Sequence, residues 1–118
     1  MTKNDFNAYV MDMMDLYDMN KKLINIYYNG VGGEPELSGV DIREAIEFVR
    51  TWDIIENELT TSDRNLYLAF MASGRHYQPL LEYLGKDVKK DGALRVMIFN
   101  IKNKIKKKYN ERYDRDYL

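Results

Sequence analysis

Residues 59–109 read LTTSDRNLYLAFMASGRHYQPLLEYLGKDVKKDGALRVMIFNIKNKIKKKY, and the spacing within them decides the fold. Leu66, Tyr67, Phe70 and Met71 recur at helical intervals and form one apolar stripe, which Gly74 ends. Pro79 suits the first turn of a second helix, where its missing N–H costs nothing; Leu80, Leu81 and Leu84 supply that helix's buried side before Gly85 closes it, so it runs for about two turns. Asp91 stands where an N-cap is needed for a third helix, and Leu94, Ile98, Ile101 and Ile105 follow steps of four, three and four along a single face of it. Lys102, Lys104, Lys106, Lys107 and Lys108 crowd its later turns.

Working outward, residues 60–63 (TTSD) have the composition of a helix cap. Residues 41–58 predict another helix, with Ile42, Ala45, Ile46, Val49 and Trp52 inward and Glu44, Glu47 and Glu56 outward. The segment NGVGGEPELSG, residues 29–39, interrupts the helical pattern with its glycines and Pro35. Before it, residues 3–28 predict a long first helix with a seam of Phe6, Val10, Met13, Tyr17, Ile24 and Tyr28, while Met11, Met13, Met14 and Met19 suit either core packing or an adaptable surface. No sustained period-two alternation occurs. The expectation is an all-α chain: N-terminal helices followed by a short helix, a turn and a long basic C-terminal helix.

The 118 residues suit one domain, or a small domain with a helical extension, and a hydrophobic content of 45% is enough for a core. Cysteine is absent, which excludes disulfides and thiolate metal sites. Apolar runs stay far below the roughly 18 residues of a membrane span, and the N-terminus is acidic and polar rather than basic and then apolar, so a soluble protein of the cytoplasm is expected. The net charge of −1 hides an asymmetry: residues 1–58 hold five Lys/Arg against twelve Asp/Glu, and residues 59–118 hold thirteen against seven. The chain therefore divides into an acidic helical region, 1–58, suited to dimerisation or partner contact, and a basic region, 59–118, suited to an anion such as phosphate. Mutual attraction of the two halves, or a solvated lysine tail, accounts for the same pattern.

Residues 59–109 also follow the order of a helix-turn-helix, and they resemble the C-terminal domain of sigma-70 factors, region 4, and the small phage late-transcription activators of similar fold. Leu59 opening the first helix, Gly74 closing it, and Tyr77 followed by Leu84-Gly85 before the turn carry the likeness, which covers roughly the last half of the chain. The segment from Gly85 to Leu94 is a few residues longer than the usual turn, and the base-facing positions hold Ala93, Arg95, Val96 and Phe99. The resemblance implies a sequence-specific transcriptional regulator that binds double-stranded DNA in a bacterial host cytoplasm. The helix starting near Gly92 would enter the major groove, with Lys86, Lys89 and Lys90 near phosphates, Arg95 at a guanine edge, and Lys102 and Lys106 on the flanking backbone. The acidic helices would then form a homodimer or contact RNA polymerase.

The alternative is a small protein-binding module or inhibitor that uses the helices as scaffold. About 100° of rotation per residue turns Val96, Phe99 and Asn103 away from the Leu94, Ile98, Ile101 and Ile105 face, and apolar residues there need cover. An enzyme is not expected. His76 is the only histidine and sits at a helix start, Asp12, Asp15 and Asp18 read as a solvated face, and the Gly30 to Gly33 cluster lacks the Gly-Lys-Ser/Thr of a phosphate loop. The tyrosines are not interleaved with the lysines and read as core edges. No catalytic residue, metal or cofactor is assigned.

Overall fold

The computed structural model describes residues 1–29, 39–85 and 91–113. They form five α-helices and, among the described residues, no strand: α1 (Lys3–Asn29), α2 (Gly39–Asn57), α3 (Thr61–Ala72), α4 (Tyr77–Leu84) and α5 (Asp91–Tyr113). The protein is all-α. The Gly30 to Gly33 cluster and the final Asp114, Arg115 and Asp116 lie outside the described residues.

Local chemistry explains most of the helix ends. At α1 the Thr2 hydroxyl accepts from the Asp5 N–H at 3.1 Å while the Asp5 carboxylate accepts from the Thr2 N–H at 2.8 Å, a reciprocal pair that satisfies two otherwise orphaned donors. Thr60 caps α3 in extended conformation, its hydroxyl accepting from the Asp63 N–H at 3.2 Å. Leu59 therefore precedes α3 rather than opening it, and its buried side chain joins the core. At the other end Gly74 donates to the Met71 carbonyl and Arg75 to the Phe70 carbonyl, each at 3.0 Å, a closure that needs the left-handed backbone of Gly74 (φ 71°). Gly85 ends α4 in the same conformation, at φ 68°. Asp91 is the first residue of α5 instead of its cap: its carboxylate is taken up by Arg95 one turn on, and a negative charge in the first turn suits the helix dipole equally well.

Two clusters make one core. In the first, Trp52, Ile54 and Ile55 of α2 meet Leu59, Leu68 of α3, and Ile101 and Ile105 of α5, with Phe6, Val10, Met13 and Tyr17 of α1 packed against them. The second joins Ala69 and Phe70 of α3 to Leu80 and Leu81 of α4 and Leu94 and Ile98 of α5. Helix α5 runs through both, and each of its four buried residues contributes roughly 1.5–3 kcal/mol of burial. The core thus crosses residue 58, where the charge composition changes. Helix α1 is fastened further by the Tyr17 hydroxyl, which donates to Asp53 Oδ1 at 2.6 Å.

The α1 seam does not hold along its whole length. Tyr28, on the expected face, is 65% exposed and meets Tyr27 edge-on, because periodicity specifies a face but not a partner to cover it. Met13 packs inward, whereas Met11, Met14 and Met19 are exposed. In α2 the expected inward residues Ile42, Ala45 and Trp52 are buried and Ile46 and Val49 half-buried; Ile54 and Ile55, which the stripe did not include, are buried as well.

Candidate nucleic-acid interface

One face of α5 is spent on the core, and this fixes what the opposite face can present. Val96, Phe99 and Asn103 point outward as their spacing requires, and Ala93, Asn100 and Lys107 share the exposed side. Val96 is 58% exposed, Phe99 62% and neighbouring Met97 47%. None of α1 to α4 covers this surface. Toward the C-terminal end of the helix it becomes basic.

The basic residues singled out from sequence have different situations. Arg95 is exposed but engaged: its Nε donates to Asp91 Oδ2 at 3.1 Å and its guanidinium carbon stands 4.3 Å from the centre of the Tyr77 ring. The arginine itself is exposed and its ion pair lies one turn away on the same helix, so extending the side chain costs little. The Lys102 ammonium sits 5.0 Å from the Phe70 ring centre and closes the outside of the core there. Lys106 is exposed and makes no ion pair among the described residues. Lys86, Lys89 and Lys90 lie outside the described residues, so Arg95, Lys102 and Lys106 are the members of the set that the structure brings onto one helix.

Other lysines of α5 have acidic neighbours. Lys104 approaches Asp63 at 3.7 Å, Lys107 and Lys108 both approach Glu111 at 3.9 Å, and Arg112 reaches Glu58 at 3.8 Å. These pairs are long and partly or largely exposed, a class worth about 0–1 kcal/mol, and they leave the positive field of the helix largely intact. Among the described residues, ion pairs between the two halves of the chain include Arg112 with Glu58 and Arg64 with Glu56, at 3.8 and 3.6 Å.

Asn100 and Asn103 were not among the sequence-derived site residues. Both are exposed, both stand in the interior of α5, and neither makes a side-chain hydrogen bond among the described residues. Asparagine is a poor helix former because its amide competes for backbone groups, and two of them three residues apart on an outward face were the available signal. Their amides can each donate and accept in the plane of a base edge, the pattern that matches adenine.

At the start of α5 a shallow hollow of about 570 Å³ is lined by Arg75, His76, Tyr77, Gln78, Asp91 and Arg95, among others. His76 precedes α4 without a side-chain capping bond. Among the described residues no three His, Asp or Glu side chains gather as a metal site, and no helix is long and apolar enough to cross a membrane. Comparison with protein-family models, with curated proteins and with solved structures gives no match.

Proposed function

We propose that this protein is a sequence-specific DNA-binding transcriptional regulator that lays the outward face of α5 in the major groove of double-stranded DNA. The observation that carries the reading is that face itself: a 23-residue helix with one side sunk in the core and the other uncovered, offering Asn100 and Asn103 to base edges beside a flank that carries Arg95, Lys102 and Lys106. Val96 and Phe99 contribute apolar contact with thymine methyl groups. Helix α4 braces α5 through the Leu80, Leu81, Leu94 and Ile98 packing, in keeping with the sigma region 4-like order of the sequence. Lys86, Lys89 and Lys90 belong to the phosphate-contacting set by virtue of that same order. The proposed partners are duplex DNA and, through the acidic helices, RNA polymerase or another protein. A homodimer, if formed, uses a surface other than the seam of Phe6, Val10, Met13 and Tyr17, because that seam is occupied within the chain.

Selection of duplexes from a randomised pool tests the reading. A recovered consensus whose adenines become dispensable to Asn100→Ala or Asn103→Ala supports it, and a pool that stays random refutes sequence-specific recognition. The second reading, a protein-binding module, is favoured by one specific observation: Val96, Met97 and Phe99 form an exposed apolar group on the same helix. Lys102→Ala and Lys106→Ala separate the two, since they weaken duplex binding but leave capture of a protein partner unchanged, whereas Phe99→Asp disrupts either contact.

A further inference from the structure

Helices α1, α2 and α3 enclose a groove of about 340 Å³, within the range of small-molecule sites. Its walls include Met13, Phe48, Trp52, Ile55 and Met71, and its polar lining residues are Tyr9, Glu44, Glu47, Thr51, Tyr67 and Arg75. Neither tyrosine hydroxyl has a protein hydrogen-bond partner among the described residues. Burial pushes both hydroxyls up from the ordinary tyrosine value, and in both cases the Arg75 guanidinium pulls the other way, so the same positive charge is felt at both. Arg75 itself holds φ at 63°, directly after Gly74 at 71°, in the left-handed region where a residue with a β-carbon is strained. It is exposed and makes no ion pair among the described residues. The Glu44 and Glu47 carboxylates also line the groove, so a single negative charge is accepted only where it meets Arg75, and further negative charge is disfavoured.

We propose that this groove binds a small amphipathic monocarboxylic acid, with Arg75, Tyr9 and Tyr67 receiving the carboxylate and the apolar body lying along Met13, Phe48 and Trp52. The site stands on its own observations and does not depend on DNA binding. Trp52 is the single tryptophan of the chain, lines the groove and is only 6% exposed, so its fluorescence reports occupancy.

The test is a titration of the full chain with octanoate, octanol and octylamine at neutral pH, read by Trp52 emission. Octanoate gives a saturable change with an affinity about tenfold or more above the alcohol and the amine, the order expected of one charge-assisted contact. Arg75→Gly lowers octanoate to the affinity of octanol while leaving the melting temperature unchanged or raised, since glycine relaxes the backbone at this position. Tyr9→Phe combined with Tyr67→Phe weakens octanoate and spares octanol. The proposal is overturned by the absence of a saturable response to octanoate, by equal or tighter binding of the amine, or by octanoate affinity that survives both sets of substitutions.

Discussion

Asn100 and Asn103 occupy helix-interior positions that asparagine fills poorly, so their replacement separates folding from binding by sign. Asn100→Ala and Asn103→Ala each improve helix propensity by a few tenths of a kcal/mol and should hold or raise the melting temperature. Duplex affinity should fall by about 1–3 kcal/mol per lost amide-to-adenine pair, measured by fluorescence anisotropy on the selected site. Arg95 stands out in the sequence as a candidate base contact because it is a charged residue near a helix start; its engagement with Tyr77 does not, since Tyr77 is distant in sequence and meets it only through the α4 to α5 packing. The two asparagines do not stand out, as neutral residues in a stretch dominated by lysine. At the N-terminus, hydrogen bonds from Thr2, the backbone N–H first and the side chain second, hold the Asp5 carboxyl below its ordinary value. Its contribution to the first turn of α1 is full above the usual aspartate range near ~4 and is lost as pH falls through the lower folded value. An acid titration followed by the Thr2 and Asp5 amide resonances should show this loss, and Asp5→Asn should flatten it.

At the scale of elements, the helix ends are set by a few backbone conformations. Gly85 closes α4 at φ 68°, and a β-carbon there would meet no atom of the described residues within 4 Å, so Gly85→Ala isolates the conformational cost. It should destabilise the fold by about 1–2 kcal/mol in urea unfolding, without changing side-chain packing. The Gly74 and Gly85 stops, the Thr60 to Asp63 cap and the four buried residues of α5 were all readable, because each is a local pattern with one physical solution. The burial of Ile54 and the exposure of Tyr28 were not, because both depend on which neighbour arrives from elsewhere in the chain. The Tyr17 to Asp53 hydrogen bond is of this kind, joining α1 to α2 across 36 positions. Tyr17→Phe removes it while keeping the ring and should cost roughly 1 kcal/mol in the same urea experiment.

For the whole molecule, charge and packing divide the chain differently. The acidic and basic regions meet near residue 58, yet α1 and α2 share a core with α3 and α5, so the acidic helices form the platform on which the basic helix is mounted. With its inner face committed to that core, α5 can meet a partner only through its outer face, and the nearly neutral chain concentrates positive charge along this one helix. Binding of the full chain to a random-sequence duplex across a salt series tests this most directly. The account predicts that the logarithm of the association constant falls linearly with the logarithm of salt, and that Lys102→Ala and Lys106→Ala each remove about one unit from the slope. Absence of duplex binding at low salt, or a salt slope that both substitutions leave unchanged, would contradict it.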